Sequence, residues 1–424
     1  MVDDIRPQGL PPNEDQNKDA PAKLDAEPAQ QAREDNPVQP IRPYADTTHI
    51  GNEQHGFVVL PDGKSIKKNP LKAVADKFNN LSKKQKIITI IALVLVVIGA
   101  GGGVYALTRD KPAPPPPPPV VEKKVEKPKP TTEASSLTGV SVPIGSNKRP
   151  ITSIQIENSP DARPQSGLRD AGVVFEAIAE GGITRFNANF QEAKPDYIGP
   201  IRSVRPYYAE LAAQFDPIFV HAGGSAAGLA KLAELQIKDL DHGANGGAFQ
   251  RVSDRYAPHN LYSSTAALDQ AAASRGYTKS NAKGFERKAE KKGQPVKAKT
   301  INMAISSYLY NTTYNYDPAA NNYQRVMAGQ PHTDHRSGKQ ITPKVVIAIV
   351  SSFSQNGIYS VYQTSGAGQV FIFQDGQVYQ GKWHKPSPRD RITFTDAANK
   401  AIKINAGQTW ITLIKDPGQV SFGP

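Results

Sequence analysis

Residues 173–190 read VVFEAIAEGGITRFNANF, and this run decides how the chain folds. Two alternating stretches flank Gly181-Gly182, a pair that tolerates the positive φ angles a two-residue primed turn demands. Pairing outward from that turn sets Glu180 opposite Ile183, Ile178 opposite Arg185 and Glu176 opposite Asn187, all on one face. The other face carries Phe175, Ala177, Ala179, Thr184, Phe186, Ala188 and Phe190, the expected core. The spacing thus predicts a hairpin with one apolar face and one face holding two carboxylates beside a guanidinium.

Working outward, Ile151 to Glu157 (ITSIQIE) is strand-like and ends at the turn signal Asn158-Ser159-Pro160. Downstream, Ser203 can cap a helix that has Pro206 in its first turn and runs through Tyr207 to about Phe215. Ile218 to His221 reads as a buried strand, followed by Ala222-Gly223-Gly224-Ser225 and a helix from Ala226 to Leu235. Strand, glycine turn and capped helix are α/β grammar. A helix over Thr265 to Ser274 closes at Gly276, and residues 279–299 form a basic, glycine-containing linker. From Thr300 the pattern becomes β. Tyr308, Tyr310, Thr312, Tyr314 and Tyr316 alternate along one expected strand, and short strands follow through Thr409 to Ile414.

Far upstream, residues 87–107 read IITIIALVLVVIGAGGGVYAL without one charged side chain. At about 1.5 Å per helical residue the run matches roughly 30 Å of bilayer hydrocarbon. So long an uncharged run exceeds what globular cores use, and it starts too far from Met1 for a cleaved leader. Lys83, Lys84 and Lys86 precede it directly, whereas Arg109, Asp110 and Lys111 follow. The positive-inside rule therefore makes the membrane the first expected partner, crossed once with the N-terminus in the cytoplasm. The C-terminal domains are then extracytoplasmic.

The resulting fold class is α+β: a single transmembrane helix, then an α/β domain over 139–278 and a smaller mostly-β domain over 300–424. Residues 1–60 are polar and acidic and read as a disordered cytoplasmic tail. The basic segment 61–86 places Leu71, Val74, Ala75 and Phe78 at helical spacing, which fits an amphipathic helix on the inner leaflet or a solvated charge run equally. Residues 108–138 contain PAPPPPPP and read as a polyproline stalk.

The chain has Cys 0, which excludes a disulfide framework, a thiolate nucleophile and a cysteine-linked lipid. Its net charge of +12 concentrates beside the apolar run and in the linker. Anionic headgroups and, outside, anionic wall polymers account for that better than nucleic acid, which is not an expected partner.

Candidate ligand-binding residues collect around the hairpin. Glu176, Glu180 and Arg185 lie on its polar face, and Arg202 and Arg205 follow Gly199-Pro200. His221, Gly223, Gly224 and Ser225 make a strand-to-helix turn whose free N–H groups suit an anion. The competing reading pairs these arginines with Glu176, Glu180 and Asp170 inside the fold and leaves Ser225 as an ordinary helix cap. The turn lacks the lysine and length of a phosphate-binding loop. Residues four apart on a strand lie about 13 Å apart, which rules Glu176 and Glu180 out as a glycosidase pair. His259 and Asn260, in RVSDRYAPHNLY, wall a site or brace a loop. His332, Asp334 and His335 have superficial metal spacing without a third ligand, so no metal and no cofactor is expected.

Several spaced motifs together resemble the YerB-like family, bacterial proteins of unknown function often taken to be lipoproteins. In the first half these are Ile156-Glu157-Asn158, residues 162–168 (ARPQSGL), residues 180–185 (EGGITR), residues 199–205 (GPIRSVR), residues 221–225 (HAGGS) and residues 257–262 (APHNLY). In the second they are Tyr316-Asp317, Tyr323, Arg325, Asp334, Asp375-Gly376, Trp383-His384-Lys385 and residues 405–410 (NAGQTW). The resemblance covers about residues 140–420 and implies an α/β domain followed by a smaller one, without an established activity. The chain departs from a lipoprotein pattern in having no cysteine, so its anchor is expected to be the helix. The leading expectation is a stalked envelope module that binds an anionic wall component or an envelope protein. A wall-acting hydrolase or transferase, or a scaffold recruiting a cytoplasmic partner through the tail, are the alternatives. No complete catalytic constellation assembles, which weighs against an enzyme.

Overall fold

The computed structural model describes residues 70–107 and 130–424. The readings of residues 1–60 as tail, of the basic segment before Pro70, and of the stalk over 108–129 lie outside the described residues. The described residues divide into two units, 70–107 and 130–424.

In the first unit, helices span Pro70–Asn79 and Lys83–Leu107. The second starts with a reciprocal cap. The Ser82 amide donates to Gln85 Oε1 at 3.1 Å and the Gln85 amide to Ser82 Oγ at 3.4 Å, satisfying two of the orphan donors of the first turn. Residues 83–105 of this helix are long and apolar enough to cross a membrane, by length and composition.

In the second unit the hairpin forms over Val173–Glu180 and Ile183–Phe190, and Gly181 and Gly182 take φ of 56° and 78°, as a primed turn requires. It lies in the middle of a large mixed sheet. On one side, Val173–Glu180 pairs in parallel with Thr409–Ile414, which pairs in parallel with Val345–Val350. Antiparallel strands Gly366–Gln374, Gln377–Lys385 and Thr393–Thr395 extend that side. On the other, Ile183–Phe190 pairs antiparallel with Thr152–Glu157, which leads in parallel to Ile218–His221 and Lys238–Asp241. Strands from 152–241 and from 345–414 therefore share one sheet. A separate antiparallel sheet runs Gln330–Pro331, Asn322–Met327, Thr312–Asp317, Thr300–Met303, Val420–Gly423.

Both faces of the hairpin are buried, so its burial pattern does not alternate. A strand covered on two sides loses the polar-out rhythm of a half-exposed one. Against one face pack helix Pro206–Ala212 and the turn after it. Phe175 and Phe215 rings lie 6.2 Å apart, and the Tyr208 hydroxyl donates to the Ala177 and Arg185 carbonyls at 2.9 and 2.8 Å. Against the other lie Tyr314, Arg325 and Met327 of the smaller sheet.

Glu180 pairs with Ile183 as expected, but the rest of the expected register is corrected. Ala177 faces Arg185, Glu176 faces Phe186, and the ladder slips between Ile178 and Glu180. This bulge inserts one residue at Ala179 and reverses the alternation, so Glu176 and Glu180 emerge on opposite faces. Three smaller expectations also change. Tyr308–Tyr310 is a 3-10 turn and the strand starts at Thr312. The N-cap of helix Pro206–Ala212 is Arg205, not Ser203. The linker contributes Arg287–Lys288, paired in parallel with Ile404–Asn405.

Candidate functional site

The eleven candidate residues fall into separate clusters. Glu176 belongs to a closed ring of side chains inside the molecule. Arg325 Nη2 donates to both Glu176 oxygens at 3.1 and 3.0 Å, and Arg325 Nε donates to His332 Nδ1 at 2.9 Å. His332 Nε2 reaches Gln165 Oε1 at 2.9 Å, and Gln165 Nε2 donates to Asn158 Oδ1 at 2.9 Å. Asn158 Nδ2 donates to Thr184 Oγ1 at 2.6 Å, whose hydroxyl closes the ring on Glu176 Oε1 at 3.4 Å. Trp410 Nε1 adds a 2.8 Å bond to Glu176 Oε2, and its ring lies 4.2 Å from the Arg325 guanidinium carbon. Since His332 Nδ1 accepts, its proton sits on Nε2. Burial, followed by the charges of Arg325 and Arg163, holds the pKa of His332 well below the usual imidazole range. The ring joins residues 158–184 to residues 325–410 and has no route to solvent through Glu176 or Arg325, both fully buried.

Glu180 emerges on the opposite face and binds Arg185 and Arg205, the latter at 2.8 Å. Arg185 also donates to the Ser203 carbonyl at 2.9 Å, and Arg205 to the Val204 carbonyl at 2.7 Å while resting 5.1 Å over the Tyr359 ring. Both guanidiniums are committed.

His221 ends a parallel strand in register with Asp241. Its Nδ1 donates to the Gly223 carbonyl and its Nε2 to Asp239 Oδ1, each at 2.8 Å. Burial pulls its pKa down, but Asp239, the Gly223 carbonyl and Asp241 outweigh that and raise it. The anion reading of the following turn meets an occupant from within the chain, because the Gly223 amide donates to Asp241 Oδ1 at 2.7 Å. Ser225 Oγ accepts from the Gly228 amide at 3.1 Å as a cap. Gly224 is needed for close approach, since a Cβ there would meet Val204 Cγ1 at 2.5 Å. Asp239 and Asp241 escaped the sequence reading, although two acids spaced by two on a strand are a visible signal.

The remaining candidates surround Glu157, at the carboxyl end of strand Thr152–Glu157. Ligands of open α/β sheets settle in the crevice beyond such strand ends. Glu157 Oε1 accepts from Ser159 Oγ at 2.8 Å, lies 2.9 Å from His259 Nδ1, and is 3.3 Å from Arg202 Nε. Ser159 Oγ also approaches His259 Nδ1, at 3.2 Å. Serine and carboxylate thus compete for one ring nitrogen, whereas a hydrolytic relay needs them on opposite nitrogens. Asn260 braces its loop, donating to the Val252 and Arg255 carbonyls at 2.9 and 3.2 Å and accepting from Arg251 at 2.7 Å. Among the described residues no group of three or more His, Asp or Glu is arranged to hold a metal. Asp334 instead accepts from the Gly167 amide at 2.6 Å and caps the turn at Arg336 and Ser337.

Arg202 differs from its neighbours. Its side chain is 25% exposed, it touches Glu157 only as an ion pair, and its guanidinium donates no hydrogen bond among the described residues.

Two family descriptions match the chain. The N-terminal domain of the "Protein of unknown function (DUF3048)" covers residues 137–278 and its C-terminal domain residues 300–411. A Bacillus subtilis protein named "Putative lipoprotein YerB" is 33% identical over 288 residues, which is 66% of this chain and 86% of that protein. The crystal structure of YerB from Bacillus subtilis superposes with a TM-score of 0.63 at 29% identity, covering 69% of this chain and all of that one. Sequence motifs, paired domains and fold agree, and the chain belongs to the YerB-like family.

Proposed function

We propose that this protein is a cell-envelope binding module, anchored by helix Lys83–Leu107 with its N-terminus in the cytoplasm and residues 122–424 outside. Its ligand is an anionic group of a wall polymer, taken by Arg202. The observation that carries this reading is Arg202, its side chain partly exposed beyond the end of a parallel strand and its guanidinium without a hydrogen-bond acceptor among the described residues, while Arg185 and Arg205 are locked onto Glu180. An arginine with open donors binds carboxylate or phosphate through charge-assisted bonds, and an arginine already saturated does not.

The test is sedimentation of the full-length protein, in detergent, with purified cell walls. Arg202→Ala lowers wall binding about tenfold or more, the loss of one to two charge-assisted bonds. Unchanged binding by Arg202→Ala removes the reading, and soluble fragments released from the walls by the wild-type protein point to a hydrolase instead. Orientation is checked separately by protease on intact protoplasts, which trims residues beyond 111 and spares residues 1–80.

A further inference from the structure

Two features near Arg202 are left unexplained by an anion alone. Glu157 Oε2 is buried and has no donor among the described residues, although Oε1 of the same carboxylate is held by Ser159 and His259. A buried carboxylate oxygen without a donor is left unsatisfied, so a site there favours a ligand that brings an O–H or N–H.

The second feature is Tyr256, which is 91% exposed. Its loop is not loosely attached. The His259 amide donates to the Tyr256 carbonyl at 2.9 Å, Asn260 ties the Val252 and Arg255 carbonyls, and Arg255 reaches back to the carbonyls of Ala162 and Pro164 at 2.6 and 2.8 Å. The turn that presents Tyr256 is the one that delivers His259 to Glu157. A tyrosine held out by a braced loop offers a large contact surface at little entropic cost.

From these we infer that the ligand is an acidic glycan. Its carboxylate or phosphate pairs with Arg202, its hydroxyls donate to the free oxygen of Glu157, and a pyranose face packs on the Tyr256 ring. The inference rests on the anion reading of Arg202. It goes further, because a bare polyanion supplies the first contact and neither of the others. Arg205 and Glu180 take no part, being paired with each other.

The experiment measures binding of two labelled probes, polygalacturonate and polyphosphate of similar charge, to full-length protein in detergent at one ionic strength. Wild type prefers polygalacturonate by about tenfold, and Tyr256→Ala reduces that preference about fivefold to tenfold, the contribution of one aromatic contact. Tyr256→Phe, which keeps the ring, preserves it. Arg202→Ala weakens both probes together. Equal binding of the two probes, or a Tyr256→Ala variant with its preference intact, overturns the glycan inference while leaving the anion reading standing. Arg202→Ala without effect on either probe removes the anion reading itself. Because Tyr256 is almost wholly exposed, its replacement does not threaten the fold.

Discussion

Glu176 and Glu180 stand on the same strand, four residues apart, and each meets arginine. Glu176 is fully buried and shares Arg325, Trp410 and a ring of amides, whereas the Glu180 side chain is 22% exposed and holds Arg185 and Arg205 at the molecule's rim. One residue of bulge separates them. It turns one carboxylate into the joint between the two sheets and leaves the other at the rim, paired with Arg185 and Arg205. Chemistry identical on paper is structural in one place and peripheral in the other, because burial sets how much of the solvation cost each pair must offset.

The sharpest way to break the contrast is to remove one half of the buried pair. Arg325→Ala strands the Glu176 carboxylate in the interior and costs about 3–5 kcal/mol, read as a drop in the urea midpoint. Replacing both partners, Glu176→Gln with Arg325→Met, recovers most of that loss, since no uncompensated charge remains. If the single variant were no less stable than wild type, the ring would not be the joint described here.

At the rim the same operation is milder. Arg205→Ala leaves Arg185 on Glu180 and costs about 1–2 kcal/mol, visible as a modest lowering of the thermal midpoint. A loss as large as that of Arg325→Ala would erase the distinction between the two glutamates.

The smallest effect distinguishes two buried histidines by pH. His332 has a folded-state pKa held below its unfolded value of about 6.5, so its contribution is complete above that pH and is lost as the pH falls below it. His221 is raised, so its contribution is complete below about 6.5 and is lost as the pH rises through the raised value. Denaturation curves between about pH 5 and 8 should show His332→Gln flattening the acid limb and His221→Gln the opposite one. Both variants bending the same limb would contradict these protonation assignments.

Local features were legible in the sequence and distant ones were not. The Gly181-Gly182 turn, the apolar helix and the strand–glycine–helix at His221 follow from propensities within a few residues. The face assignment of Glu176 failed because a bulge at Ala179 leaves no mark on an alternating pattern. Arg325 and Trp410 lie 149 and 234 residues from Glu176 along the chain, and no spacing rule links them. Arg202 and Arg205 look alike in GPIRSVR. Only the position of Glu180 shows which of them is spoken for.

The placement of Thr409–Ile414 bears on how the protein is made. This strand sits between Val345–Val350 and Val173–Glu180, so the middle of the sheet stays open until residues 409–414 have been synthesised. Trp410 follows Glu176 by 234 residues, an interval of at least some ten seconds at about 5–20 residues per second. During that time the Val173–Glu180 edge has no permanent neighbour and is a template for pairing with any other extended chain. A nascent chain truncated before residue 409 should therefore depend on holdase chaperones, and Thr409–Ile414 acts as the stitch that closes the large sheet.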